Sequence, residues 1–417
     1  PATCELALVA ALLGRPLEVA GAGPYAGLAQ GPQGLLAVLA REVILPWRYA
    51  CPFTGAEMGA LAAARLLGQW RRLIDGNRPV GAIHGVARWK RGTLDALLWA
   101  GRGRPPYGGQ GKGRVLVWQA RTPARVLARL AGPVGEIEDG PIRSAGLGAH
   151  CVPPLSIVVD ELGPYFDPAR ESGLERLLAR AAFPPDLLAR AAALRGAIVA
   201  GGVGKYGAGG GALAAWPADG RRRVLVVGQV ADDRAMALGG AGCTNLALLQ
   251  AARRLEPQAH IIWRPHPDVV AGLRPGALPP DQVRALADAE AAEAPIAGLL
   301  AGADAVHVIS SLAGFEALLR GCAVTVHGLP FYAGWGLTRD LAITPARRRR
   351  RLALDELVAA ALILYPRYLD PLTRLPCPPE VLVARLVAGV GQRGLGWPLV
   401  ALRRWQGRLR RWLAARA

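Results

Sequence analysis

Lysine is nearly missing from this chain. Of its 50 basic residues only Lys90, Lys112 and Lys205 are lysine, and the rest are arginine. With 53 glycines and 34 prolines alongside, that bias fits a GC-rich coding sequence as well as a polyanion partner. The formal charge of +19 therefore does not by itself define a nucleic-acid or membrane binder. Cysteine is scarce too: Cys4, Cys51, Cys151, Cys243, Cys322 and Cys377 lie far apart with no C-x-x-C pair. That spacing excludes a dense disulfide framework and fits a reducing cytoplasm. The longest uncharged run, residues 19–40, is broken by Gly21, Gly23, Pro24, Gly27, Pro32 and Gly34, so no membrane span is expected. No signal peptide is visible, and a start at Pro1 without methionine fits a fragment or processed product.

What is present is enough chain, 417 residues, for two or three domains. One internal repeat stands out. Residues 12–19 and Pro24-Tyr25-Ala26-Gly27 resemble residues 319–326 and Phe331-Tyr332-Ala333-Gly334, offset by 307; Arg48-Tyr49 with Pro52-Phe53-Thr54 echoes Arg367-Tyr368 with Pro371-Leu372-Thr373, offset by 319. The twelve extra residues of the later copy fall around the basic run 347–351. In the earlier copy Thr3, Cys4, Val9 and Leu28 stand where the later has Ser310, Ser311, Glu316 and Trp335, so any catalysis belongs to the later one.

From about residue 80, strand-like runs alternate with Ala/Leu/Arg stretches of helical period, the pattern of a parallel α/β sheet. Strands are expected at 115–118, 134–137 and 155–159, and, beyond a Gly/Ala-rich linker at 208–220, at 223–227, 260–263, 305–309 and 323–326. Helices are expected near 244–255, 312–319 and 354–364. The expected division is a remnant tail over 1–79, one Rossmann-like lobe over 80–215, a second over 216–390 and a basic amphipathic helix over 391–417. That last helix reads either as an anchor to an anionic membrane surface or as a helix docked on a lobe with a solvated arginine face.

Polar residues then collect at strand ends, where open α/β sheets bind ligands. Ser310 and Ser311 sit between a strand and a helix, a phosphate site by hydroxyls and free amides or an ordinary cap. Glu316, a turn further on, could accept ribose hydroxyls. His266-Pro267 ends another strand, with Arg264 just before it, and the imidazole can donate to a phosphate oxygen. No Asp-x-Asp pair occurs, which disfavours a metal-held nucleoside-diphosphate sugar and fits a metal-free nucleoside-monophosphate donor. Asp232-Asp233 follow one strand and Glu138-Asp139 another; neighbours on an extended segment point oppositely, so one of each pair should face a ligand. A carboxylate from each side supplies the nucleophile and the acid/base of a double displacement.

Together with Arg143-Ser144, Pro154-Leu155-Ser156, Asp160, Tyr165-Phe166-Asp167, Ser172, Gln229 to Asp233, His266-Pro267-Asp268, Ser310-Ser311, Gly314-Phe315-Glu316 and Tyr332-Ala333-Gly334-Trp335-Gly336, these residues resemble the capsular polysaccharide β-Kdo transferases of the KpsC type, over residues 80–380. The resemblance implies an α/β fold of two Rossmann-like lobes of the GT-B type facing a cleft, as the second of two tandem modules. It implies a retaining glycosyltransferase at the cytoplasmic face of the inner membrane. The donor substrate would be CMP-β-Kdo, with no other cofactor and no metal. The acceptor would be a Kdo-bearing, phosphatidylglycerol-type lipid, and the lack of most of a first module fits extension of the linker better than its initiation.

By the family's Q-x-x-x-D pattern the nucleophile would be Asp233; Glu138 would be the acid/base, and His266, Pro267, Ser310, Ser311, Glu316 and Gln229 would hold CMP. Arg143 and Arg264 are added, on charge alone, for the Kdo carboxylate or donor phosphate. Two other readings stay open: transfer of another CMP-activated acidic sugar such as a sialic acid, and a non-enzymatic basic surface-binding protein. No nucleic-acid motif is present, and no nucleic-acid partner is expected.

Overall fold

Hydrophobic periodicity resolves into two six-stranded sheets in the computed structural model, which describes residues 1–391 apart from 110, 131, 147–150 and 209–215. The C-terminal helix expected over 391–417, and most of the linker, lie outside the described residues. Two compact units divide the chain, Pro1–Leu73 and Ile74–Ala417. Among the described residues no helix is long and apolar enough to cross a membrane.

In the first unit a two-residue ladder pairs β1 (Tyr49–Ala50) with β2 (Glu57–Met58), Tyr49 opposite Met58 and Ala50 opposite Glu57. The second unit repeats this register at the offset of 319, where Tyr368 faces Cys377 and Leu369 faces Pro376. The helices that follow begin at Ala60 and Pro379, again 319 apart. At the offset of 307, Gly14 and Gly321 both adopt positive φ after a helix, at 65° and 77°. Gly ends a helix this way because no Cβ opposes the left-handed backbone. The internal repeat is thus carried in backbone register as well as in residue identity.

The second unit opens with β3 (Val80–His84), β4 (Arg114–Val117), β5 (Val134–Asp139) and β6 (Ser156–Asp160). The first sheet is not all parallel: β3, β4 and β5 are, but β6 runs antiparallel to β5, and the described residues joining them contain no crossover helix. A small hairpin, β7 (Val203–Gly204) and β8 (Gly207–Ala208), precedes the second sheet.

That second sheet contains β9 (Arg223–Val227), β10 (His260–Arg264), β11 (Ala289–Glu290), β12 (Ala305–Val308), β13 (Ala323–Val326) and β14 (Arg339–Asp340), in the order β11-β10-β9-β12-β13-β14 and parallel throughout. This is the doubly wound 3-2-1-4-5-6 order, whose winding reverses between β9 and β12. The chain finally returns to the first sheet through β15 (Arg367–Leu369) against β6 and β16 (Pro376–Cys377) against β15, so part of the 216–390 stretch belongs with the earlier strands.

One apolar cluster joins the two sheets, running from Leu155, Leu174, Leu194 and Ile198 to Leu225, Val306, Phe315 and Val326. A buried ion pair adds to it. Ser172 caps the helix Gly173–Arg180 and sets Glu175 in its first turn, where Arg348 reaches Glu175 Oε2 at 3.1 and 3.2 Å and donates to the carbonyls of Pro330 and Ala333. The basic run is therefore a clamp rather than an open anion site. Arg348→Met leaves Glu175 to Arg347 alone and the Pro330 and Ala333 carbonyls unpaired, so it should lower stability by about 1–3 kcal/mol, read as a fall in the urea midpoint.

Candidate active site

A cavity of about 500 Å³ opens at the winding reversal of the second sheet and is closed on its other side by β5 and the hairpin β7–β8. Gly228 to Asp233 leave β9, Arg264 and His266 leave β10, and Ser310-Ser311 leave β12, so three parallel strands deliver their carboxyl ends to one place. Ser311 caps the helix Leu312–Leu319, its Oγ accepting from the Ala313 amide at 3.2 Å, and Leu312 and Ala313 also line the cavity. His266 caps the short helix Pro267–Val270. Its Nδ1 accepts from the Asp268 amide at 3.1 Å, which leaves the proton on Nε2. Burial first, then Lys205, Arg264 and Arg274, push His266 down to about 4, so at neutral pH it is a neutral donor.

The acidic pairs resolve differently. Lys90 Nζ holds both oxygens of Asp139, at 3.0 and 3.2 Å, and Arg143 Nε holds Oδ2 at 2.9 Å. Burial opposes ionisation of Asp139, but these two cations keep its pKa below the usual range. Among the described residues Glu138 is held by Arg234, whose Nη1 donates to Oε1 at 2.8 Å while Nη2 reaches Glu136 at 3.0 Å. Burial outweighs Arg234 and pushes Glu138 up to about 8. On the other wall Asp232 turns to the surface against Arg274, at 2.7 and 2.9 Å, whereas Asp233 lines the cavity and its carboxylate takes no hydrogen bond or ion pair among the described residues. Because Arg234 follows Asp233 in sequence and grips Glu138, it ties the two carboxylates to opposite sides of one space.

Of the residues expected from sequence, Glu138, Asp233, His266, Pro267, Ser310, Ser311, Glu316, Gln229 and Arg264 all line the cavity, and Arg143 does not. Arg143 is buried, its guanidinium spent on Asp139, Ser144 Oγ and the Val152 carbonyl, so it cannot meet a sugar or phosphate. Gln229 and Ser310 line the wall but bind each other: the Ser310 amide donates to Gln229 Oε1 at 2.8 Å, Gln229 Nε2 donates to Ser310 Oγ, and that hydroxyl donates to the Ala235 carbonyl. They position the loop instead of presenting free groups. Glu316 is buried and accepts the Lys205 amide at 2.7 Å; burial raises its pKa. Arg264 donates Nε to the Ala294 carbonyl and sits in the field of Glu316.

Sequence reading gave no site role to Arg234, Lys90, Asn245 or Lys205, and named Tyr165 only as part of the family pattern. Asn245 brackets the backbone of Gln229, accepting its amide at 3.0 Å and donating to its carbonyl at 2.8 Å. Tyr165 lines the cavity, its ring edge-on to Phe166, Phe331 and Tyr365, and burial pushes its hydroxyl up to about 12. The one signal for two of these lay in composition, because two of the three lysines stand at this site.

A doubly wound sheet that brings a phosphate-ready strand end and two opposed carboxylates to one cavity has the make-up of an α/β enzyme site for an anionic ligand. Residues 215–368 match the family model described as capsule polysaccharide biosynthesis protein. The chain is 36% identical over 403 residues to the capsule polysaccharide modification protein LipA of Neisseria meningitidis serogroup A, covering 89% of this chain and 57% of LipA. It is 46% identical over 240 residues to the lipopolysaccharide-processing protein LpsZ of Rhizobium meliloti, covering 57% of this chain and 54% of LpsZ. Among solved structures, the beta Kdo 2,4 transferase of Thermosulfurimonas dismutans KpsC superposes with a TM-score of 0.65 at 32% identity, over 73% of this chain and 98% of that one. The beta Kdo 2,7 transferase of the same KpsC gives 0.60 at 30% identity, over 74% and 98%. The chain belongs to the KpsC-type capsule Kdo transferase family, and it spans a little over half the length of the curated relatives it matches.

Proposed function

We propose that this chain is a retaining, metal-independent β-Kdo transferase of GT-B type, its two sheets acting as facing lobes. It takes Kdo from CMP-Kdo and adds it to a Kdo-bearing, phosphatidylglycerol-type lipid during synthesis of the capsule linker. The observation that carries the reading is the pairing of Asp233 and Glu138 across one cavity that also holds His266 and the Ser311 helix start. The Asp233 carboxylate attacks the anomeric carbon as the bond to the CMP phosphate breaks, and CMP departs with its charge met by His266 Nε2–H, the Ser311 helix amides and Arg264. An acceptor hydroxyl then attacks the same carbon; its proton goes to Glu138 and Asp233 leaves as a carboxylate. Two inversions restore the β configuration. The working place is the cytoplasmic side of the inner membrane, where both the donor and the lipid are reached.

Transfer from CMP-Kdo to a Kdo-terminated glycolipid, with the product anomer read by NMR, tests this reading. CMP at about 100 times its Kd should add about 2.7 kcal/mol of stability, and UDP should add none. A sialic-acid donor outcompeting CMP-Kdo would move the assignment to that sugar, and failure of either CMP-sugar to react would end it.

A further inference from the structure

The cavity needs a cation that the reaction scheme above does not use. In a 2-keto sugar acid the carboxylate is bonded to the anomeric carbon, so it travels with the reacting atom and lies between the Asp233 and Glu138 carboxylates. Uncompensated, the sugar carboxylate and the Asp233 carboxylate repel each other in one partly buried space, and Glu138 adds to the repulsion whenever it is ionised as the base. Five cations stand near enough to consider, of which Lys90 is committed to both oxygens of Asp139. Arg143 is buried outside the cavity, and Arg234 is committed to Glu136 and Glu138. Arg264 lies at the end of β10 beside His266, where the phosphate would sit. The fifth is Lys205, which lines the cavity and forms no ion pair among the described residues.

Resting on the reading of this site as an acidic-sugar transferase, we propose that Lys205 binds the carboxylate of the donor sugar and thereby selects for acidic sugars. Its backbone is held from both sides. The Lys205 amide donates to Glu316 Oε1 at 2.7 Å, and its carbonyl accepts the amides of Arg143 at 2.9 Å and Ser144 at 3.3 Å. A side chain at Gly204 would come within 3.1 Å of Glu316 Oε1, and Gly207, at φ 113°, would come within 3.1 Å of Ala145 Cα. Gly207 is required by its φ, Gly204 leaves room beside Glu316, and together they fix where the lysine starts. Tyr206 lies 5.5 Å from the ammonium. Tyr206 most of all, against the opposing cost of burial, and then Tyr165, Asp139 and Asp233 hold the Lys205 pKa above its usual value. The ammonium therefore stays charged in the field of Asp233, and its charge also acts on His266. That a chain with arginine at nearly every basic position keeps lysine here fits a compact point charge aimed at one carboxylate, for which a forked guanidinium is a poor substitute.

Lys205→Met should lower kcat/KM for CMP-Kdo by about 100-fold, the scale of one charge-assisted hydrogen bond. CMP itself should bind within about threefold of wild type. Measured by calorimetry in an Asp233→Ala background, where donor is not consumed, the affinity advantage of CMP-Kdo over CMP should disappear on adding Lys205→Met. Lys205→Gln is the second variant, used if Lys205→Met melts below the wild type, and should show the same split. Retention of kcat/KM within about threefold, or an equal loss of CMP and CMP-Kdo binding, overturns the assignment. Wild-type protein that binds neither ligand instead overturns the CMP-sugar reading on which it rests.

Discussion

Asp233→Ala is expected to reduce Kdo transfer by at least about 10⁴-fold, the scale on which removal of a covalent nucleophile acts. The neighbouring carboxylate supplies the control. Asp232 turns away from the cavity into an exposed ion pair with Arg274, and such pairs contribute about 0–1 kcal/mol. Asp232→Ala should therefore transfer at nearly the wild-type rate. The two substitutions remove the same chemical group one residue apart, so composition, net charge and general destabilisation cancel in the comparison. What differs is that the Asp233 oxygens face the space shared with Glu138, His266 and Ser311. Steady-state rates with CMP-Kdo and a Kdo-terminated acceptor measure both. Equal losses in the two variants would mean that the acidic turn matters as a structural unit and that neither side chain is the nucleophile.

The second large effect is a pH dependence set by Glu138. Burial pushes this carboxyl up to about 8 even with Arg234 in place, so at pH 7 roughly one site in ten carries the base form. Acceptor activation requires the ionised form. The rate at saturating donor should accordingly climb about tenfold per pH unit below 8 and level off above it. Glu138→Gln should remove that rising limb and lower the plateau by about 10²–10⁴-fold. Arg234 favours the ionised form, so Arg234→Met should move the limb to higher pH. A flat profile through pH 6–9 with full activity in Glu138→Gln would show that another group takes the proton.

Much of this site was legible because it depends on local sequence. Strand ends followed by Ser-Ser, His-Pro or an acidic pair reveal themselves in a short window, and β9 and β13 fall where their β-branched runs place them. What was not legible depends on residues far apart in the chain. Nothing local distinguishes Glu138 from Asp139; the difference is made by Lys90, from 49 residues earlier, which together with Arg143 neutralises Asp139. Arg143 looked like an anion ligand because its charge is visible and its burial is not. The antiparallel direction of β6 was missed because alternation of strands and helices was carried across a connection whose described residues contain no helix. The helix expected over residues 354–364 widens from α to π at Ala359 with no glycine or proline to mark it.

Trapping the intermediate is the most direct test of the central claim, that a carboxylate of the second sheet takes the sugar while one of the first sheet serves the acceptor. Wild-type protein incubated with CMP-Kdo and no acceptor should gain the mass of one Kdo residue in intact-protein mass spectrometry, located by peptide mapping to Asp233 and absent from Asp233→Ala. A protein that transfers Kdo while showing no adduct under these conditions, or an adduct on any other side chain, would contradict it.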